Sequence, residues 1–289
     1  MDKQRKLVYF GAHPDDESFG MGATLAQYAD RGAQVYYVCS TGGELGTVAP
    51  KYLEGYKSIA ELRVDELAKA SKILGLTDFY YLGYRDSGMQ GSPDNEHPDA
   101  MAAASVDEVA GRVVKYIRQI QPDVVITHDE GGGYGHPDHL ATHYGVVKAF
   151  HAAGDPEQYP DDGQPFQPAN LYFLLHPRRL MRVLIKLMPL FGQDPHHFGR
   201  NKDVDLTEIT NISYPIHAII KLDKKYVEIR NQAVACHASQ SDGRSRPMMF
   251  RVIDLFSRLQ GPREYFMKAY PPPKRRKEKD LFEGLERKP

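Results

Sequence analysis

The 289-residue chain is 41% hydrophobic and 26% charged, enough to bury a sizeable core as one large domain or as a core with a smaller appendage. A formal charge of -1 argues against nucleic acid or a membrane surface as partner, and the two cysteines, Cys39 and Cys236, imply no disulfide framework. No stretch approaches the roughly 18 uninterrupted apolar residues of a membrane span, and the apolar run Leu7 to Ala12 is too short for a secretion signal, so a reducing cytoplasm is the expected setting.

In chain order, Leu7 to Phe10 reads as a buried strand and Gly22 to Arg31 as a helix stopped by Gly32. Val35 to Cys39 is a second strand. Ser58-Ile59-Ala60-Glu61 has capping-box spacing and predicts a helix running to Gly75. Phe79 to Leu82 is a third strand, and Ser105-Val106-Asp107-Glu108 opens another helix that ends near Gln121-Pro122. Val124 to Thr127 is a fourth strand, a helix starts near Pro137, and Leu171 to Leu175 is a fifth strand. Continuous apolar strands separated by helices predict a Rossmann-like, doubly wound α/β unit with a mostly parallel sheet over residues 1 to 175.

Residues 176 to 270 are expected to form a smaller α+β portion that completes the fold and covers the pocket. There Arg178 to Leu190 is a cationic amphipathic stretch with an apolar face for the sheet, and Asp223 to Cys236 and Pro247 to Leu259 read as helices. The run Pro271-Pro272-Pro273, followed by Lys274-Arg275-Arg276-Lys277, predicts the end of ordered structure, with residues 271 to 289 a solvated tail.

His13, Asp15 and Asp16 lie just past the first strand, at the carboxyl edge where α/β sheets bind ligands. Pro14 turns the chain, so His13 and Asp16 can converge on one point while Asp15 projects elsewhere. His136-Pro137-Asp138-His139 follows the fourth strand and opens a helix. In a Rossmann-like order strands one and four are neighbours, which sets the two clusters face to face. Two imidazoles and one carboxylate leave a metal with open positions, and zinc lowers the pKa of a bound water to about 7. Asp15, free of the metal, is then placed to take the proton. His136 could stabilise the developing oxyanion as an imidazolium, with Asp138 holding it charged.

The segments Gly11-Ala12-His13-Pro14-Asp15-Asp16-Glu17 and Gly131-Gly132-Gly133-Tyr134-Gly135-His136-Pro137-Asp138-His139 resemble the LmbE/PIG-L family of zinc-dependent N-deacetylases. The likeness covers residues 6 to 150 in detail and continues loosely to about 270. It implies zinc on His13, Asp16 and His139, with iron(II) as an alternative metal, Asp15 as general base and His136 at the oxyanion. Within the family the chain is similar to the bacterial branch acting on mycothiol, its precursor or its conjugates. Thr41-Gly42-Gly43-Glu44, Arg63-Val64-Asp65-Glu66 and Arg85-Asp86-Ser87-Gly88 extend the match, and by resemblance Glu44, Arg63 and Asp86 contact sugar or inositol hydroxyls. Tyr134, in a glycine-flanked loop, resembles a tyrosine that swings over the substrate carbonyl. The implied partner is a small acetamido-sugar substrate, and a homo-oligomer stays open.

Several residues read otherwise. His139 and His143 share the i,i+4 spacing of zinc helices, but Leu140 stands where that motif has its catalytic Glu, so His143 is expected to pack or support. Glu17 reads as a structural acid at a helix N-terminus, and His128-Asp129-Glu130 as the end of the fourth strand and a wall of the pocket. His237-Ala238-Ser239-Gln240 resembles a tract near the end of the family's catalytic region, as pocket wall or packing. Three alternatives stay open: cleavage of a thiol-conjugate amide in the same site, a non-haem iron(II) oxygenase built on two histidines and a carboxylate, and a nucleotide-binding module, which the missing Gly-x-Gly-x-x-Gly disfavours.

Overall fold

The first apolar run forms β1 (Lys6–Gly11), whose Leu7 to Phe10 are wholly buried. The structure, a computed structural model, describes residues 4–176, 178–197, 205–207, 213–241 and 261–285. After β1 come α1 (Asp16–Asp30), β2 (Gln34–Thr41), α2 (Ile59–Leu74), β3 (Asp78–Tyr84), α3 (Val106–Ile120), β4 (Val124–His128), α4 (Pro137–Ala152) and β5 (Asn170–Leu175). Then follow α5 (Arg178–Leu187), β6 (Ala218–Lys221), α6 (Lys224–Cys236) and β7 (Arg263–Tyr270).

One seven-stranded sheet runs in the order β3-β2-β1-β4-β5-β7-β6. The first five strands are parallel, with Leu7 opposite Val35 on one side and Val124 on the other. The expected Rossmann-like arrangement is therefore present, and β1 and β4 are neighbours at the point where the strand order reverses. β7 and β6 add to the same sheet antiparallel, so the C-terminal portion extends the core.

Alternation along β1 divides the interior. Leu7 and Tyr9 face α1, α2 and α6 with Met21, Leu67, Leu74, Tyr226 and Ala233, while Val8 and Phe10 face α3 and α4 with Val113, Ile117, Val146 and Phe150. The helix starts behave as their side chains dictate: Ser58 Oγ accepts the Glu61 N–H at 3.1 Å and Ser105 Oγ the Glu108 N–H at 3.2 Å. α1 begins six residues earlier than the sequence pattern indicates, because a first turn from Asp16 is joined to the rest across a kink at Met21 (φ -145°). In α5, Ile185 and Met188 just after it are buried. The helix expected over Pro247 to Leu259 lies outside the described residues.

The tail reading needs correcting over residues 271 to 285. Beyond the exposed basic run, the Glu278 N–H donates to the His217 carbonyl and the Ile219 N–H to the Glu278 carbonyl, and Leu281 and Phe282 are buried. The Glu278 carboxylate accepts the Tyr172 hydroxyl at 2.6 Å and pairs with Lys268 at 2.8 Å in a buried bridge. A polyproline stop and a charge run describe the local chain well, but the apolar pair after them finds a seat against Tyr28. Replacing Phe282 with Ala should therefore cost about 3 kcal/mol in urea unfolding, whereas a solvated tail would give no change in midpoint.

Glu264 on β7 is buried beside the start of α1, its carboxylate accepting the Thr24 N–H at 3.0 Å. Burial pushes its carboxyl up to about 7, against the smaller opposing pull of Thr24. The folded protein then keeps this proton over a range where the unfolded chain, near 4.5, has released it. Stability contributed by the protonated form is complete below about 4.5 and is lost as pH rises through about 7. Glu264→Gln should remove that component, about 3 kcal/mol, so the stability difference between variant and parent should grow in the variant's favour from pH 4.5 to 8 in chemical denaturation. A difference independent of pH would refute it.

Candidate metal centre

Where β1 ends, the backbone needs acceptors for its last N–H groups. Asp16 Oδ2 supplies them, accepting Ala12 N–H at 2.8 Å and His13 N–H at 3.0 Å. The turn is braced from β2, where the Tyr37 hydroxyl donates to the His13 carbonyl at 2.6 Å. Gly11 makes room for that ring, since a Cβ there would lie 2.5 Å from the Tyr37 oxygen.

With Oδ2 so engaged, Asp16 Oδ1 faces the second cluster, 3.7 Å from His139 Nε2. His139 Nε2 is in turn 3.2 Å from His13 Nδ1. A tetrahedral metal with bonds of about 2.0–2.1 Å spaces its donor atoms about 3.3 Å apart, so this donor set fits one. The three atoms belong to two residues of the first cluster and one 123 positions downstream of Asp16, and all lie within 4.8 Å of one another. The two clusters therefore meet at one cleft, as the topology predicts.

Asp15 points elsewhere. Its backbone sits at φ 129°, far from the conformations an L residue adopts freely, and its carboxylate turns to Arg63 Nη2 at 3.0 Å. Burial pushes the Asp15 carboxyl up to about 6, against the pull of that guanidinium. Arg63 is buried and also donates to the carbonyls of Pro14 (2.7 Å) and Gly43 (3.0 Å). Gly43 is at φ 68°, and a Cβ on it would meet Arg63 Nη1 at 2.0 Å. The sequence reading gives Arg63 to substrate hydroxyls; in the structure its Nη2 is on Asp15, and its Nε has no hydrogen-bond partner.

His136 is buried and caps α4, its Nδ1 accepting the Asp138 N–H at 3.2 Å. An accepting Nδ1 carries no proton, so the ring proton is on Nε2. Burial, and after it the neighbouring His13, push this ring down to about 4, which together with the accepting Nδ1 favours a neutral imidazole over the imidazolium expected from the sequence. Nor does Asp138 serve it. Asp138 Oδ2 lies 3.9 Å from His136 Nδ1 but 3.1 Å from His13 Nε2, and accepts the Ser87 N–H at 3.1 Å. Asp138 thus orients His13, leaving Nδ1 of that ring for the cleft.

Glu44 and Asp86 form one wall and hold each other's loops: Glu44 Oε2 accepts the Asp86 N–H at 2.9 Å, and Asp86 Oδ2 the Leu45 N–H at 3.3 Å. Asp86 Oδ1 is 3.8 Å from His13 Nε2. Burial works to raise the Asp86 carboxyl, but hydrogen bonding to His13 and its charge hold it well below the usual carboxylate range. Tyr134, half-exposed, presents its ring edge-on to His139 with centroids 4.9 Å apart.

The sequence offers His128 as a possible ligand but favours it as a pocket wall. Its ring stacks on His139 at 4.0 Å and its Nε2 is 3.4 Å from Asp16 Oδ2, so it backs the donor set directly. His143 gives its Nδ1 to the His128 carbonyl at 2.9 Å and packs on Phe173, as a supporting residue would. Glu17 and His237, which motif reading left structural or unassigned, meet in a buried pair at 2.7 Å. Local pattern offers no signal for a contact across 220 residues.

Residues 8–150 match the PIG-L family model, GlcNAc-PI de-N-acetylase. The chain is 40% identical over 213 residues to a 1D-myo-inositol 2-acetamido-2-deoxy-alpha-D-glucopyranoside deacetylase from Thermomonospora curvata, covering 71% of this chain and 70% of the relative. To the protein of the same name from Streptomyces scabiei it is 33% identical, over 97% of this chain and 90% of the relative. Among solved structures, N,N'-diacetylchitobiose deacetylase from Pyrococcus horikoshii has the same fold, with a TM-score of 0.61 at 20% identity over 92% of this chain and 84% of that one.

Proposed function

Because the chain belongs to the GlcNAc-PI de-N-acetylase family, we propose that it is a zinc-dependent deacetylase that removes the acetyl group of an N-acetylglucosaminyl-inositol or related glycoside. The observation that carries this reading is the convergence of His13 Nδ1, Asp16 Oδ1 and His139 Nε2 at tetrahedral donor spacing, with the carboxylate of Asp15 beside them and outside the donor set. His13, Asp16 and His139 would hold the metal. Bound there, it would polarise the amide carbonyl and lower the pKa of water.

Each remaining residue has work set by its geometry. Asp15 takes the proton of the attacking water and passes it to the departing amine. Arg63 fixes the orientation of that carboxylate through Nη2. His136 donates from Nε2 to the carbonyl oxygen as that atom gains charge, a task that needs a proton on Nε2 and no net charge on the ring. Tyr134 covers the open side of the cleft and can add a second donor. Glu44, partly exposed, and Asp86 receive sugar or cyclitol hydroxyls, for which carboxylates are strong acceptors. The amide is left in two parts, acetate and a free amine.

The test is acetate release from free N-acetylglucosamine, diacetylchitobiose, the inositol glycoside and a thiol-conjugate amide, using enzyme loaded with zinc and, separately, iron(II). Release from the inositol glycoside is expected to be fastest; no acetate from any of the acetamido sugars, with metal bound, would overturn the reading. Chelation should abolish turnover and added metal restore it. His13→Ala, Asp16→Ala and His139→Ala should each lose the metal by elemental analysis. Asp15→Asn should keep it while kcat falls about 10²–10⁴-fold, and near-parental turnover there would remove Asp15 from the role of base. His136→Ala should keep the metal and lose about 10²–10³-fold in kcat. Loss of metal in that variant would instead make His136 a ligand.

A further inference from the structure

Asp15 is held by two arms. One is Arg63, which grips its carboxylate from α2. The other reaches its backbone: the Asp15 N–H donates to Glu17 Oε2 at 3.0 Å. Glu17 is fully buried, and its other oxygen accepts the Ser18 hydroxyl at 2.6 Å and lies 2.7 Å from Nε2 of His237, which is fully buried too. A carboxylate removed from water needs a partner able to hold its charge, and His237 provides it.

The position of His237 is itself fixed. α6 packs on the face shared by α1 and α2, burying Tyr226 and Ala233 among Met21, Leu67 and Leu74. At its end, Ser239 gives its N–H (2.8 Å) and its hydroxyl (2.7 Å) to Glu66. Glu66 sits one turn after Arg63 on the same helix. Both arms on Asp15 are therefore anchored to α2, one directly and one through residues 237–240.

We propose that His237 acts through Glu17 as a positioning residue for Asp15. The pair holds the peptide of Asp15 at φ 129°, and this conformation turns the Asp15 carboxylate away from the donor set while Asp16 keeps its Oδ1 on it. Neither side chain touches substrate. The proposal rests on the deacetylase reading for its kinetic consequence, but its structural consequence is independent of that reading.

His237→Ala should lower kcat about 10–100-fold, with KM within about twofold and metal content unchanged, as expected when a reacting group is misplaced by a supporting shell. His237→Gln keeps an N–H donor toward Glu17 Oε1 and should recover most of the rate. The decisive comparison is a cycle with Asp15→Asn. If His237 works through Asp15, His237→Ala should add no further loss in the Asp15→Asn background. An additive loss, or a fall explained by lost metal or raised KM, would overturn the proposal.

Should His237→Ala fail to fold, Glu17→Gln keeps the side-chain shape and answers the same question, and parental kcat in it would count against the pair. A crystal structure of metal-free His237→Ala needs no assay. Asp15 is expected to leave the positive-φ region and lose its hydrogen bond to Glu17; an unchanged Asp15 backbone would sink the proposal even if the enzyme proved inactive on every acetamido sugar. Conversely, an inactive parent protein with the expected Asp15 shift would discard only the deacetylase reading.

Discussion

One carboxylate at the end of β1 sets the geometry of everything around it. The parallel ladder stops at Gly11, and the next two N–H groups would be buried without acceptors. Asp16 Oδ2 takes both, and in doing so fixes the side chain so that only Oδ1 is left for the cleft. The chain must then pass through Asp15 in a conformation that glycine would adopt more readily. Strain of this kind, of order 1–3 kcal/mol, persists only where the surroundings over-determine it. Here they do, through Arg63 on the side chain and Glu17 on the peptide.

The same turn lets two adjacent aspartates face different partners. Sequence neighbours in a regular strand would face opposite sides of the sheet, and in a helix would lie about 100° apart. Neither arrangement puts one carboxylate in the donor set and turns the next onto Arg63. The positive φ at Asp15 supplies a third geometry. Its electrostatic setting follows from crowding. Asp15, Asp16, Asp86 and Asp138 stand close together around His13, with Arg63 as the guanidinium among them. Such an excess of negative charge is costly unless cations answer it, and a divalent ion on the donor set would do so.

Much of this was legible in the sequence, for identifiable reasons. Apolar runs such as Leu7 to Phe10 and Val124 to Thr127 are buried on both faces, so they stand out as parallel strands, and Gly75 and the two Ser-x-x-Glu signals mark helix ends. The clusters at His13 and His136 could be placed because topology sets β1 beside β4. Partner choice inside the cleft was not legible. Asp138 is two residues from His136 and 125 from His13, yet it binds the distant ring, because capping α4 turns His136 Nδ1 onto the Asp138 backbone. Arg63 offered chemistry suited to sugar hydroxyls, and only the fold shows it spent on Asp15. The seating of Leu281 and Phe282 was hidden for a similar reason, since the polar run before them dominates any local window.

The chain after residue 175 joins the same sheet as the first half. β7 inserts beside β5 and carries β6 outward, so the C-terminal strands complete the sheet that carries the donor-set turns. α6 then covers the α1–α2 face, and the residues after it close a path from Glu66 through Ser239 and His237 to Glu17 and the peptide of Asp15. Glu17 belongs to the first motif and is the acid in it that local pattern reads as a structural acid at a helix N-terminus. Its burial at zero exposure makes that assignment insufficient, because a carboxylate that merely favours a helix N-terminus does so from the solvent side. The first motif thus pairs with a histidine 220 residues away, and Asp15 is met from two sides, on its peptide through Glu17 and on its carboxylate by Arg63.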